Sequence, residues 1–230
     1  MSSNPPDLKA RLKASYDAIA PAYNAWSSVH NSLRLRYLSK LLALLPPNDS
    51  PSPPLAVLEL GCGAGTPVTE TLVASPGGQS FHVTANDLSS TQIALGQAHL
   101  ASHADRVTWL QGDMMTLEFA DGSFDAIVAL YSVIHLPREE QDVLIGRIAK
   151  WLKPGGVVLV NFAAEDMEAA ILEKWLAEEG WMFWSGWGAE ATLEKIRGGT
   201  GLEVVVEDVI KEEEGADAAF LWVIAKAPAV

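Results

Sequence analysis

The chain has 230 residues, the length of one domain, and 49% of them are hydrophobic, enough for a sizeable core. Its net charge of −13 argues against a nucleic-acid backbone as the main partner, because phosphate binding needs clustered Lys and Arg. No apolar run reaches membrane-spanning length and the start lacks a basic-then-apolar leader, so a cytoplasmic protein without a membrane partner is expected. The only cysteine, Cys62, excludes an internal disulfide and fits a reducing compartment.

Residues 1–6 read as disordered. A helix is expected from Asp7, which can cap it, with Leu8, Leu12, Tyr16 and Ile19 at helical spacing. Pro21 is expected to interrupt that helix, because proline has no N–H to give. Ala22, Tyr23 and Trp26 follow, then a leucine-rich helix from about Leu33 to Leu45. Tyr16 and Tyr23 are either core residues or aromatic faces beside a cationic ligand. Residues 46–54 are rich in proline and small polar side chains and read as a connector. It joins a helical cap (residues 1–50) to a sheet unit (residues 51–230), the two making one structural unit.

Leu55 to Leu60 is a short buried strand that breaks into Gly61-Cys62-Gly63-Ala64-Gly65, and a helix follows over Val68 to Ala74. Alternate glycines suit a turn whose backbone a ligand approaches closely. Strand, glycine turn and helix make the ligand-binding corner of an open α/β sheet. Glu59 lies near the strand's end, where a carboxylate can accept hydrogen bonds from a ligand. Cys62, between two glycines, reads as a small loop residue rather than a nucleophile. The run Glu59-Leu60-Gly61-Cys62-Gly63-Ala64-Gly65 resembles the first motif of class I S-adenosylmethionine (SAM)-dependent methyltransferases, an acid before G-x-G-x-G. It departs from the dinucleotide fingerprint, which would put glycine at Thr66. The resemblance implies a Rossmann-like, doubly wound, seven-stranded α/β sheet, mostly parallel, ending in an antiparallel hairpin.

Pro76-Gly77-Gly78 ends the first sheet-domain helix. Phe81 to Ala85 reads as the second strand, and Asp87 follows it where doubly wound folds place an acid for ribose hydroxyls. Capping the next helix is the other role open to Asp87. That helix runs from Thr91 to about Ser102, and a third strand spans Arg106 to Leu110. The turn Gly112-Asp113-Met114 then resembles the family's adenine corner, with Asp113 accepting from the exocyclic amine and Met114 against the ring. The same resemblance puts Leu88, Tyr131, Tyr16 and Tyr23 in the cofactor-binding set beside Glu59, Gly61, Gly63 and Gly65.

Phe124 to Leu130 is the fourth strand. After it, Ser132-Val133-Ile134-His135-Leu136-Pro137 resembles the S-x-x-H-x-P form of small-molecule methyltransferases. The acidic and proline-rich patterns of metal-dependent and nucleobase enzymes are absent at this point. His135 is the first acid/base candidate, with structural packing as its alternative, and His30 is the second. His82, His99 and His103 read as structural or exposed, and no histidine spacing suggests a metal site.

A helix from Arg138 carries Leu144, Ile148, Trp151 and Leu152, and Lys153-Pro154-Gly155-Gly156 turns the chain into a fifth strand, Val157 to Phe162. A further helix is expected from Asp166 to Glu178, with Met167, Ile171 and Trp175 on one side. The segment Gly180 to Gly188, with four aromatics and three glycines, reads as an irregular loop, either a substrate-side lid or a hydrophobic plug. A helix over Ala189 to Arg197 and a hairpin of Leu202 to Ile210 with Phe220 to Ala227 close the chain, joined by an acidic solvated turn around Glu212-Glu213-Glu214.

The resemblance spans Tyr16 to Lys226. It implies transfer of a methyl group from SAM, leaving S-adenosylhomocysteine, to an O, N or S atom of a small, fairly apolar molecule. Trp26, His135, Met182, Phe183 and Trp184 are expected at the substrate. The alternatives are a SAM-binding enzyme of this fold with a non-methylating reaction, such as a cyclisation, and a non-catalytic partner subunit. A monomer or homodimer is expected.

Overall fold

Two helices, α1 (Leu8–Ser27) and α2 (Asn31–Leu42), precede the central strand β1 (Leu55–Leu60). The computed structural model describes residues 4–46, 53–74, 80–212 and 218–229. The expected disordered start, the proline-rich connector, the Pro76-Gly77-Gly78 turn and the turn at Glu213-Glu214 lie wholly or partly outside these residues.

On one side β1 pairs in parallel with β2 (Phe81–Asp87), which pairs with β3 (Val107–Gln111). On the other side it pairs with β4 (Phe124–Ala129), and β4 with β5 (Leu152–Ala163). The helices α3 (Val68–Ala74), α4 (Ser90–His99) and α5 (Arg138–Trp151) make the crossovers. Of two more strands, β8 (Glu203–Glu212) and β9 (Ala218–Lys226), β9 adds antiparallel to β5 and β8 antiparallel to β9, giving the order β3-β2-β1-β4-β5-β9-β8. The order reverses between β1 and β4, and a crevice opens at their carboxyl ends.

Alternate side chains of β1 feed two cores, Val57 on one face and Leu58 and Leu60 on the other. Both faces are covered, which explains why the strand reads as a continuous apolar run. The helix α2 is part of this body: Tyr37 is fully buried, stacks on Trp222 with ring centroids 4.4 Å apart, and donates to Asp208 at 2.6 Å.

Three sequence expectations are corrected. Pro21 does not end the first helix, which continues to Ser27. Docking compensates for the lost hydrogen bond: the Asp17 carboxylate accepts from Ser89 Oγ at 2.7 Å and Thr91 N at 3.0 Å, tying α1 to the start of α4. Asp7 makes no side-chain cap, and Arg11 N bonds its carbonyl instead.

The third correction is larger. Residues expected as a helix and an irregular loop are the two strands β6 (Asp166–Glu173) and β7 (Trp181–Trp187), an antiparallel pair separate from the main sheet. Spacing of Met167, Ile171 and Trp175 mimics a helix, but Lys174 and Leu176 both take positive φ and turn the chain back. The turn closes through Trp175 N to Gly180 O, and a Cβ at Gly180 would sit 1.8 Å from the Trp175 carbonyl oxygen. Pairing satisfies the backbone of the aromatic stretch, and α1 covers its inner face: Leu8, Leu12 and Ile19 pack with Trp181, Met182 and Phe183.

Candidate active site

The crevice beyond β1 and β4 holds three connected spaces. The first is a narrow cleft of about 80 Å³ between α1 and the glycine turn. Nine of the expected cofactor residues line it: Tyr16, Tyr23, Gly61, Gly63, Asp87, Leu88, Asp113, Met114 and Tyr131. Gly61 has φ +74, and a Cβ there would lie 2.3 Å from Ser132 Cβ. Gly63 (φ +55) and Gly112 have nothing within 4 Å of an added Cβ, so open space stands over both. That is the bare backbone a ligand can lie against. Gly65 behaves differently: it is turned to Trp109 and Leu100, at 3.0 and 3.1 Å, and serves packing.

Asp87 is fixed by two backbone donors, Gly63 N to Oδ2 and Ser89 N to Oδ1, each at 2.8 Å. Lone pairs remain on both oxygens for ligand hydroxyls. Burial pushes its pKa up to about 6, against those two hydrogen bonds. The helix cap proposed as its other role belongs to Ser89, whose hydroxyl accepts from Gln92 N at 3.1 Å. Asp113 caps a short turn through Met115 N and also accepts from Lys9 Nζ at 3.2 Å; Lys9 reaches Glu140 at 2.5 Å. α1 is thereby fastened over the cleft by charge-assisted hydrogen bonds.

The second space, about 150 Å³, is lined by Glu59, Arg34, Gly61, Gly63 and Cys62, with Asn31 and Ser28. Glu59 is buried and accepts from Thr69 Oγ1; burial raises its pKa to about 7 in spite of that bond. Arg34 is buried as well, its guanidinium held by the Ser27 carbonyl and Asn31 Oδ1, both at 3.1 Å, and it lies 4.7 Å from the centroid of Tyr131. An acid and a guanidinium around one small polar space suit a zwitterion. Sequence reasoning missed Arg34. A basic residue within the leucine-rich helix was the available signal. Cys62 is buried, and burial pushes its thiol well above the ordinary range, as expected of an unreactive loop residue.

The third space is an apolar cavity of about 500 Å³, within the range of small-molecule sites. Trp26, His30, His135 and Trp184 line it, as do the unexpected Arg34, Trp175, Glu212 and Phe220. Met182 and Phe183 do not line it; both are buried against α1. The aromatic wall is continuous, with ring centroids 5.2 Å apart for Trp26 and Trp175 and 5.9 Å for Trp175 and Trp184. Four side chains line both the cleft and this cavity: Tyr16, Tyr23, Tyr131 and His135. They form the window between the two.

His135 is locked at that window. Its Nδ1 lies 2.8 Å from the Phe183 carbonyl oxygen, an acceptor, so Nδ1 carries the proton. Nε2 therefore accepts, and Tyr16 Oη donates to it at 2.8 Å. Burial lowers the His135 pKa to about 4, so the ring is neutral at physiological pH. Burial likewise raises the Tyr16 phenol well above 10. Tyr131 enters the window with φ +54, a strained value for a non-glycine residue, and its N–H donates to Asn161 Oδ1 at 2.6 Å.

His30 lies in the short turn between α1 and α2, buried, with Nδ1 2.9 Å from Glu212 Oε2. Glu212 also accepts from Tyr131 Oη at 2.5 Å. The expectation that Glu212 sits in a solvated turn is thus corrected: only 6% of its side chain is exposed. Pairing of β8 with β9 reaches Glu212 and turns it inward.

This fold, with a glycine turn after β1 and acids at the carboxyl ends of β1 and β2 and just beyond β3, is a Rossmann-like, doubly wound architecture shared with SAM-dependent methyltransferases of known structure. Residues 57–156 match the family described as methyltransferase domain. The chain is 35% identical over 172 residues to an arsenite methyltransferase of Aquipseudomonas alcaligenes, covering 69% of this chain and 47% of that one. It spans about half the length of the curated relatives it matches, and less of some. Among solved structures, the 1,6-didemethyltoxoflavin-N1-methyltransferase of Burkholderia thailandensis, with bound S-adenosylhomocysteine, superposes with a TM-score of 0.70 at 16% identity, over 98% of this chain and 91% of that one. The [4+2]-cyclase SpnF does so at 0.69 and 18% identity, over 94% of each chain.

Proposed function

We propose that this chain is a SAM-dependent methyltransferase that moves a methyl group to an O, N or S atom of a small, fairly apolar molecule. The observation carrying this reading is the window, four side chains shared by a glycine-lined cleft and an aromatic cavity. In-line transfer needs donor and acceptor to meet through such an opening.

SAM supplies an already activated methyl group when bound, so the protein's part is seating and alignment. Alignment of this kind can contribute about 7–11 kcal/mol. Asp87 is suited to the ribose hydroxyls and Asp113 to the adenine amine. Glu59 and Arg34 suit the ammonium and carboxylate of the amino-acid tail. The rings of Tyr16, Tyr23 and Tyr131 offer electron-rich surfaces to the sulfonium. At the acceptor side, the lone pair of His135 Nε2, with Tyr16 Oη in front of it, can take up a proton from the acceptor group. His30 is a second proton acceptor, deeper in the cavity. Trp26 and Trp184 form part of the substrate wall.

A second reading keeps SAM but not methyl transfer, since a cyclase shares the fold. Formation of S-adenosylhomocysteine separates the two: turnover of a substrate without it would overturn methyl transfer. We further propose a cytoplasmic location and a monomer or homodimer with no nucleic-acid or membrane partner. The buried reduced Cys62 and the strongly acidic balance support the first and the third of these. Among the described residues no helix is long and apolar enough to cross a membrane.

A further inference from the structure

Among the described residues, only three besides glycine take a positive φ: Tyr131 at 54°, Lys174 at 57° and Leu176 at 62°. That region is costly for side chains of this size, and such outliers persist where the surrounding structure holds them, often at ligand clamps. Tyr131 lines the large cavity, and Lys174 and Leu176 flank Trp175, which lines it too. Strain in the β6–β7 turn is thus centred on one aromatic side chain. The turn has a glycine at 180, where the Trp175 carbonyl fills the space of a Cβ. It has none at 174 or 176, where glycine would remove the strain.

The Trp175 ring reaches from the hairpin to the helical cap. Its centroid is 5.9 Å from that of Trp184 on β7, and 5.2 and 5.9 Å from those of Trp26 and Tyr23 on α1. The Trp26 and Trp184 planes stand nearly perpendicular to it, at 79° and 86°. Trp175 is nonetheless only half-buried, and Leu172, which also lines the cavity, is 47% exposed. The cavity therefore reaches the surface along this hairpin, and Trp175 is wall rather than core. Edge-to-face contact is how the rings of this wall already meet. A flat aromatic guest beside Trp175 extends that pattern, and a puckered saturated ring of the same size does not.

We propose that the strained turn is a clamp that sets Trp175 against the substrate, and that Trp175 makes the site select acceptors with a flat aromatic ring over saturated ones of equal size. This rests on the methyltransferase reading above. Apolar area alone does not tell a flat ring from a puckered one. The quadrupole of an indole does, by about two- to twelvefold in affinity beyond the effect of area. Trp175 is a specificity-determining residue in this account and takes no part in the chemical step. Fixing its ring in advance removes the ordering cost that a free indole would pay on each binding event. The strained backbone at Lys174 and Leu176 is what fixes it.

The test is equilibrium dialysis of the full chain, with S-adenosylhomocysteine present, against three probes. Two are bicyclic alcohols of equal carbon count, the flat 2-naphthol and the puckered trans-2-decalol; the third is the cation cyclohexyltrimethylammonium. We expect 2-naphthol to bind at least about threefold tighter than either of the others. The naphthol-to-decalol ratio should fall to about one in Trp175→Leu and hold in Trp175→Phe. Equal binding of the two alcohols, preference for the cation, no binding of any probe, or an unchanged ratio in Trp175→Leu would overturn the proposal. Lys174→Gly tests the clamp without touching the ring, and serves if Trp175→Leu does not fold. It should unfold at no lower a temperature, because relief of strain offsets the added freedom of the unfolded chain. Its ratio should fall at least about twofold, since the relaxed turn no longer holds Trp175. A turn that is merely structural would leave that ratio unchanged, and this result or a lowered unfolding temperature would overturn the clamp. Failure of the wild-type chain to bind SAM or S-adenosylhomocysteine would instead overturn the methyltransferase reading, and the ratio measured without cofactor would still decide the clamp.

Discussion

Two carboxyl groups in the cofactor crevice carry the clearest consequence at the residue scale. Burial holds Glu59 at a pKa of about 7 and Asp87 at about 6. Both are raised above their unfolded values, so their support for the ligand-free fold is full below about pH 4 and is lost as pH rises through 6 to 7. In the proposed seating, an ammonium beside Glu59 and two ribose hydroxyls on Asp87 would favour the ionised forms and reverse this. SAM binding at about pH 6 is therefore expected to expel protons. Titration in two buffers of different ionisation heat reads this directly. Heats independent of the buffer, or net proton uptake, would contradict it. Gly61 supplies a second prediction. Alanine there meets both a positive φ and an overlap with Ser132, and should destabilise the fold by at least about 1–3 kcal/mol in denaturant unfolding. A loss within error would mean the turn relaxes freely.

At the scale of the element, the β6–β7 hairpin and α1 depend on each other. The hairpin buries one face on α1, and Trp181 N donates to Ser15 Oγ at 2.7 Å in a buried position. Ser15→Ala would strand that N–H, at a cost of about 1–3 kcal/mol. Unfolding curves check this; an unchanged midpoint would show that another acceptor takes the bond. This is also where the sequence was hardest to read. The strands and helices up to β5 were legible because each has a matching period and a turn signal at its end, as at Leu55 to Gly65. The acids Glu59, Asp87 and Asp113 were legible by their place at or just beyond the carboxyl ends of β1, β2 and β3. In β6, apolar residues four apart imitated a helix, and pairing with a distant aromatic strand decided the outcome. Glu212 was misread for a related reason. A run of glutamates looks solvated, and only the register of β8 on β9 turns one of them inward. Arg34 was hidden in a helix whose leucines dominated the pattern.

Seen over the whole molecule, one crevice at the strand-order reversal collects nearly everything with chemical potential, and α1 roofs it. The cleft beneath α1 is about 80 Å³ and the polar space joined to it about 150 Å³, together still below the roughly 300 Å³ at which small-molecule sites begin, so entry of a cofactor is expected to displace part of the roof. The Lys9 contacts to Asp113 and Glu140 and the Tyr16–His135 bond are what it would break or rearrange. Amide exchange in residues 8–27 is thus expected to change on cofactor binding more than exchange in β1 or β5. A uniform response across the sheet would count against α1 as the moving part.

Isothermal titration of the full chain with SAM tests the central claim most directly. The proposed function predicts saturable binding at one site per chain, weakened at least about tenfold by Asp87→Ala through loss of the hydrogen bonds proposed for the ribose. Absence of any binding at millimolar SAM, or an Asp87→Ala affinity equal to wild type, would contradict it.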